Sequence, residues 1–416
     1  MVVPSNDWMD EFKLRFSLGQ TGNAASGASL YLGSYASGDN YMDMSAITPS
    51  TMQLNRLKWE TTTEYNTGLD ASFLKGKLRF TVDVYQKYIK DLLQKKVKMP
   101  TSIGYGNGYE VSYMNSGKMT NKGWEFRVDA VPFENRDWRV GFYFNIAHNE
   151  NKITEMPDNY TEENYTFNNG EYAYRREEGR PMGSFYGYRY KGVCQNKDAT
   201  YARDADGNVM KDISGNAIVM RNGTATIAPG DALYEDINHD GVINQYDIVY
   251  LGNSNPRFTG GAGVNVSYKQ FKLSAIFYGR YGQDVVNSTR LNNESMRGID
   301  NQSTAVLRRW RNEGDQTDIP RALYGEGYNT LGSDRFVEDA SYLRLKSLSF
   351  NYRLPKKIIQ RWGFSNIDVY VTGYNLFTWT KYTGQDPEVK TENTYARDSA
   401  TTPASIQLVA GFNLSF

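Results

Sequence analysis

The chain has 416 residues, and its 47 lysine and arginine residues balance its 47 aspartate and glutamate residues, so the formal net charge is zero. Balanced charge excludes a nucleic-acid partner recruited by a basic surface, and the single cysteine, Cys194, excludes a disulfide framework or a thiolate metal cluster. No run of about 18 apolar residues occurs, so the sequence contains no helix of the kind that crosses a membrane.

Strict alternation of apolar and polar residues predicts five strands before residue 150. Each strand has one apolar face, and the charges in these strands lie on the opposite face. The apolar faces begin at Phe12, Tyr65, Leu78, Trp124 and Val140. Short turns at 74–77 and 133–137 separate some of these strands, and long loops rich in Gly, Ser, Asn and Tyr separate the others.

After a break over residues 150–257, the alternation resumes in five more strands. They are predicted at residues 258–268, 271–277, 342–354, 367–373 and 406–416. A shift of the apolar phase near Lys346 predicts a β-bulge, and residues 355–365 predict a basic helical turn. Short and long connections alternate along the chain, and a strand at the apolar segment 185–193 would break that alternation. We therefore assign this segment to one large outer loop.

The closing strand runs to the last residue, which is aromatic. Its apolar side carries Ile406, Leu408, Ala410, Phe412, Leu414 and Phe416. Outer-membrane barrels end in this way, because the final strand closes the sheet and leaves no edge facing lipid. Phe412, Leu414 and Phe416 are therefore the candidate signal for the barrel-assembly machinery.

We predict an all-β fold, an antiparallel up-and-down wall of a transmembrane β-barrel with about ten strands, short periplasmic turns and long extracellular loops. The residues expected to face lipid are Phe12, Leu69, Phe80, Phe126, Phe142, Phe277 and Phe412. Strand ends or turns, where interfacial aromatic girdles lie, are expected to hold Trp8, Trp59, Trp124, Trp138, Trp362 and Trp379. A soluble β-rich adhesin or glycan-binding module is the alternative, because a sandwich core hides its apolar face as lipid does.

Short motifs along the whole chain also carry a family resemblance. They are Phe12-Lys13-Leu14-Arg15 and the segments 19–23 (GQTGN), 57–60 (LKWE), 179–188 (GRPMGSFYGY), 252–256 (GNSNP), 342–345 (YLRL), 375–377 (NLF) and 382–388 (YTGQDPE). In this order they resemble the SusC/RagA group of TonB-dependent outer-membrane transporters from Bacteroidetes. The resemblance implies a 22-stranded barrel in the intact protein, a plug domain, TonB-driven uptake of glycans or peptides, and a lipoprotein lid of the SusD type.

This resemblance also implies that residues 1–416 are the C-terminal part of the barrel. The family's signal peptide, N-terminal extension, TonB-contacting segment and plug domain are absent from the sequence, as is about half of the barrel. The start of the sequence, Met1-Val2-Val3-Pro4, has no basic region followed by an apolar region, which is the pattern of a signal peptide. We therefore expect a fragment whose beginning is missing.

Residues 236–247, inside the large loop, have the spacing of a twelve-residue calcium loop. Oxygen ligands occupy loop positions 1, 3, 5, 9 and 12, and a glycine occupies position 6. The predicted ligands of a structural Ca²⁺ are Asp236, Asn238, Asp240, the Val242 carbonyl, Asn244 and Asp247. The alternative is a tight Asp-Gly turn in an acidic loop. We expect the ion to order a loop that has little core of its own.

No catalytic constellation is visible, and we expect no enzymatic activity. A membrane-embedded hydrolase would need a Ser/His/acid set, and the two histidines are His148 at a strand end and His239 in the acidic loop. Loop tyrosines could stack on sugar rings or pack against each other, and the candidates are Tyr105, Tyr109, Tyr186 and Tyr188. The choice between glycan and peptide cargo stays open.

Overall fold

The computed structural model describes residues 8–27, 29–99, 101–105, 109–115, 117–156, 170–174, 176–325, 328–389, 391–392 and 395–416. Its main element is a ten-stranded antiparallel sheet in which consecutive strands are neighbours, which confirms the predicted up-and-down order. The strands are β1 (Met9–Asn23), β2 (Glu60–Phe73), β3 (Leu78–Lys90), β4 (Lys118–Glu134), β5 (Trp138–Glu155), β6 (Phe258–Tyr268), β7 (Phe271–Tyr281), β8 (Tyr342–Arg353), β9 (Asn366–Thr380) and β10 (Gln407–Ser415).

Short connections follow the even-numbered strands, and long loops follow the odd-numbered ones. The turn after β2 is tight because Lys75 and Gly76 adopt left-handed backbone conformations, with φ of 57° and 76°. The turn after β8 contains the helix Lys356–Ile359 and the 3-10 turn Gln360–Trp362, and this helical segment is capped by Gly363 at φ 79°. The predicted helical turn is therefore confirmed.

The predicted bulge in β8 is also present. In the ladder between β7 and β8, Leu345 pairs with Phe277 and Ser347 pairs with the adjacent Ile276, so Lys346 is an extra residue in β8. The extra residue changes the parity of the strand, and Leu343 and Phe350 consequently lie on the same face although they are seven positions apart.

Two compact units make up the chain. The first comprises Met1–Val128, Ala147–Tyr160 and Glu177–Pro181, and the second comprises Asp129–Ile146, Thr161–Arg176 and Met182–Phe416. In the first unit, the long loops form the hairpins Ser34–Tyr41 with Met44–Thr51 and Leu93–Lys98 with Glu110–Asn115, and a 3-10 turn at Thr101–Ile103.

In the second unit, the loops after β5, β7 and β9 fold together into what we call the loop domain, described over residues 170–174, 176, 182–257, 282–341 and 381–406 with gaps at 326–327, 390 and 393–394. Its helical elements are the α-helix Ser288–Glu294 and the 3-10 turns Asp198–Thr200, Gln245–Asp247, Thr304–Arg308 and Asp334–Phe336. Its strands are Ser184–Gly187, Tyr190–Val193, Arg221–Asn222, Ala225–Thr226, Ala232–Tyr234, Val242–Ile243, Val249–Asn253, Asp284–Asn287, Val337–Asp339, Thr391–Glu392 and Tyr395–Asp398.

The loop domain has a packed core, so the expectation that the large loop has little core of its own is wrong. Tyr186, Tyr188 and Ile243 are at most 1% exposed and belong to one apolar cluster. A second cluster joins all three loops and contains Tyr172, Phe185, Val286, Leu291, Phe336 and Tyr395. Most of these residues come from short strands, one short helix and a 3-10 turn, and these elements are too short for alternation to give a signal. The apolar segment 185–193 lies in this domain, as predicted.

Candidate functional site

One face of the wall in the second unit is apolar and exposed. Leu273 pairs with Phe350, which pairs with Val371, and these side chains are 43%, 46% and 42% exposed. Phe277 lies on the same face, because it pairs with the apolar-face residue Leu345. A soluble domain does not expose an apolar face of this extent.

The soluble sandwich alternative required Phe142 and Phe412 to pack against a second sheet. Instead, Phe142 is 38% exposed and Phe412 is 66% exposed, in register with the exposed Val369. The sandwich alternative is therefore wrong.

The wall in the first unit separates apolar and charged residues in the same way. Phe12 pairs with Ala71 and Leu14 with Leu69, and Ala71 in turn pairs with Phe80. The Phe80 ring lies 6.3 Å from that of Phe126, so the four predicted lipid-facing residues of this unit share one face. The opposite face carries an ion-pair cluster, whose distances are 2.7 Å from Arg15 to Asp70 and 3.0 Å from Arg15 to Asp83.

Five of the six tryptophans lie where aromatic girdles were predicted. Trp8 and Trp59 directly precede strands, Trp138 begins β5, Trp379 is one residue from the end of β9, and Trp362 lies in the turn after β8. Trp124 lies inside β4 instead, because that strand begins six residues earlier than expected, at Lys118.

The polar face of β8 holds a loop motif in place. Arg344 is 2% exposed, and its guanidinium donates to Asp386 at 2.5 Å and to Glu388 at 2.8 Å. Lys346 adds a further bond to Glu388 at 2.9 Å. These contacts connect segment 342–345 (YLRL) to segment 382–388 (YTGQDPE). In the sequence the two segments were recognised only as separate motifs. The sequence signal for this contact was Arg344, a charged residue between two leucines.

Residues 236–247 form a closed turn whose carboxylates accept backbone hydrogen bonds. Gly241 has φ of 81°, as loop position 6 requires. Asp236 accepts from the Gly241 N–H at 2.8 Å, and Asp240 accepts from the Val242 N–H at 2.8 Å. The other predicted ligands make similar bonds, namely Asn238 with Asp240 and Asn244 with Tyr246 and the Val242 carbonyl.

Asp247 is the buried member of this turn. Its carboxylate accepts the N–H groups of Ile237 and Asn244, both at 2.8 Å. Burial raises the pKa of Asp247, and the nearby charges of Asp236 and Asp240 raise it further. The two backbone hydrogen bonds lower this pKa, but the net shift is upward. The oxygen donors suit Ca²⁺ chemically. Within the described ranges, however, no group of three or more His, Cys, Asp or Glu side chains is arranged to hold a metal ion.

Tyr186 and Tyr188 lie in the core of the loop domain with 0% and 1% exposure, so of the two alternatives they pack within the loops and do not present their rings to a sugar. Tyr105 and Tyr109 stack on each other at 4.7 Å. The ring of His148 lies 6.2 Å from that of Trp124, and His239 Nδ1 lies 3.3 Å from the Arg203 carbonyl.

At the C-terminus, all three residues of the candidate assembly signal are accessible. Phe412, Leu414 and Phe416 are 66%, 40% and 90% exposed. The Phe416 ring packs at 5.0 Å from Phe364, in the turn after β8.

In the part of the chain that the structure describes, no helix combines the length and the apolar character needed to span a membrane.

Comparison with known proteins places this architecture in a family. Residues 4–376 match the family described as TonB dependent receptor-like, beta-barrel. The chain is 31% identical to TonB-dependent receptor P3 of Formosa agariphila over 397 residues, which cover 92% of this chain and 36% of that protein. It is 27% identical to TonB-dependent receptor SusC of Bacteroides thetaiotaomicron over 428 residues, which cover 98% of this chain and 38% of that protein.

Among solved structures, the RagAB peptide transporter is similar with a TM-score of 0.73 and 26% identity, over 99% of this chain and 42% of that chain. The chain thus spans less than half the length of these relatives. The chain belongs to the TonB-dependent receptor-like β-barrel family and is a protein of the outer membrane.

Proposed function

We propose that this chain is the membrane wall of a TonB-driven nutrient importer of the SusC/RagA type, which takes up glycans or peptides with a SusD-like lipoprotein. The observation that carries the proposal is the ten-stranded wall, with one exposed apolar face and one polar face. Similarity to SusC and to the RagAB peptide transporter supports it. The family consists of receptors and transporters, and we infer that this chain has no enzymatic activity.

In this proposal each region has its own task. The apolar face holds the wall in lipid, and the polar face with Arg15, Asp70 and Asp83 lines the lumen. The loop domain lies outside, where the lipoprotein and the cargo would meet it. Coupling to TonB is assigned to a part of the protein other than this wall.

Uptake measurements test the proposal. We expect a strain that lacks the receptor gene to lose uptake of one labelled class, oligopeptides or oligosaccharides, and complementation to restore it. Loss of TonB or collapse of the proton-motive force should have the same effect. Unchanged uptake of both classes in the deletion strain would contradict the proposal.

We also infer that Phe412, Leu414 and Phe416 are read by the barrel-assembly machinery. Their exposure at the terminal strand supports this role, because side chains buried in a core would be unavailable for recognition. The amount of folded receptor in purified outer membranes measures it.

A structural Ca²⁺ at residues 236–247 is our further proposal. It is supported by the oxygen donors Asp236, Asn238, Asp240, the Val242 carbonyl, Asn244 and Asp247, and by the left-handed Gly241. Burial is the main cause of the raised pKa of Asp247, and a cation would offset the additional repulsion from Asp236 and Asp240. Titration calorimetry with CaCl₂ measures the binding directly.

A further inference from the structure

A polar cavity of about 560 Å³ opens at the surface of the loop domain, and its charged lining residues are exposed. This volume falls in the range of small-ligand sites. The lining comes from the loops after β5, β7 and β9, and its main polar side chains are Glu171, Asn293, Arg297, Asp300, Asn301 and Arg397. None of the sequence motifs pointed to this combination.

The three lining segments are held by the same apolar cluster. Tyr172, Leu291 and Tyr395 are buried together around Phe185, and each lies within two residues of a lining position. The Gly170 N–H donates to the Thr330 carbonyl at 2.7 Å, which joins two of the segments directly. Because its frame is part of a packed core, the cavity is formed before any ligand binds.

The lining carries charged side chains of both signs. Arg297 and Arg397 supply guanidinium groups, and Glu171 and Asp300 supply carboxylates. The Arg397 Nε donates to the Ser288 hydroxyl at 2.6 Å, which fixes the guanidinium. Over the described ranges, the two terminal nitrogens of Arg397 make no further hydrogen bond, so they are available to bind a carboxylate.

Asparagine amides complete the lining, and the described lining residues include no aromatic ring. An amide side chain both donates and accepts, as a peptide backbone does. A sugar ring presents an apolar face that an aromatic side chain would cover, and the described part of the lining offers no such surface.

We propose that this cavity binds a short zwitterionic peptide. Arg297 and Arg397 would bind its carboxylate, Glu171 and Asp300 its ammonium group, and the asparagines its backbone amides. This inference rests on the proposed import function, and it assigns the cargo of this receptor to the peptide class.

Binding to the receptor purified from outer membranes in detergent tests the inference, with trialanine as the probe. We expect calorimetry to detect binding of trialanine but not of maltotriose. N-acetylated, C-amidated trialanine should bind at least tenfold more weakly than trialanine. Arg397→Gln should weaken trialanine binding about tenfold to a hundredfold, because a charge-assisted hydrogen bond is lost. Lys211→Gln, at an exposed hairpin of the same domain, is the matched control and should bind as the native protein does.

Three outcomes would overturn the inference. They are no trialanine binding, trialanine binding that Arg397→Gln leaves unchanged, and maltotriose binding that Arg397→Gln abolishes. Arg297→Gln provides a second variant if Arg397→Gln does not fold. Peptide uptake that continues without binding at this cavity would reject the inference and leave the import function intact. Trialanine binding without uptake of any cargo would instead count against the import function.

Discussion

The wall and the loop domain use the same large apolar residues in opposite ways. In the wall, Phe350 and Phe412 are 46% and 66% exposed, whereas Phe185 and Tyr186 in the loop domain are fully buried. The wall meets lipid, where an exposed apolar face is stable, and the loop domain meets water, where such a face must be covered. The difference teaches that the surrounding solvent, rather than the residue type, decides which side chains form a core.

The largest effect expected from this comparison is in the loop core. Phe185→Ala removes a ring that packs 5.5 Å from Tyr395, and it should destabilise the loop domain by about 3–5 kcal/mol. Limited proteolysis of receptor in outer membranes should cut this domain faster, while the folded band of the barrel on unheated gels remains. Ile213→Ala, at a fully exposed loop position, is the control and should change stability by less than about 0.5 kcal/mol. Equal protease sensitivity of the two variants would mean that the loop domain has no cooperative core.

On the lipid face, the expected effect is somewhat smaller. Phe350→Arg places a charge among the exposed apolar residues of β8 and should cost about 2–4 kcal/mol near the centre of the bilayer. Asn351→Arg, on the polar face of the same strand, is the matched control and should be tolerated. Urea unfolding in lipid vesicles measures both. If the two variants lose the same stability, the assignment of the faces is wrong.

The sequence predicted the wall well because a half-buried strand repeats every two residues. Even the bulge at Lys346 was visible as a phase shift, since a one-residue insertion moves every later side chain to the other face. Tyr186, Tyr188 and Ile243 could not be assigned to a core, because the strands around them are only a few residues long and their contacts are distant in sequence. The cavity at Glu171 and Arg397 was invisible for the same reason.

The terminal residue, Phe416, directly follows the last strand of the wall and contributes little to the stability of the folded barrel. Phe416 is 90% exposed, so Phe416→Ser should change the stability of the folded barrel by less than about 1 kcal/mol. Insertion should nevertheless fall if the terminal aromatic side chain is the assembly signal. The heat-modifiable band in purified outer membranes measures insertion, and Trp362→Ser, at an exposed position in the turn after β8, is the control. An unchanged amount of folded Phe416→Ser receptor would contradict the assignment of Phe416 to the assembly signal.

A modest effect is expected at the acidic turn of the loop domain, where carboxylates lie close to one another. The pKa of Asp247 is raised by burial and by Asp236 and Asp240, so the folded state binds the proton more tightly than the unfolded state, whose aspartate pKa is about 3.9. Without calcium, the stability of the loop domain should therefore fall as the pH rises from about 4 through the folded pKa of Asp247. Calcium should reverse this trend, because the ion favours the ionised carboxylates.

With a dissociation constant on the order of 10⁻⁴ M, 1 mM calcium should add about 1.4 kcal/mol. Protease half-lives of the loop domain at pH 5 and pH 7.5, with and without calcium, measure both effects. Asp240→Ala should abolish the calcium protection, whereas Asp212→Ala, in an exposed turn of the same loop, should keep it. If millimolar calcium protects neither the native protein nor the Asp212→Ala variant, residues 236–247 are a tight Asp-Gly turn stabilised by its own backbone hydrogen bonds.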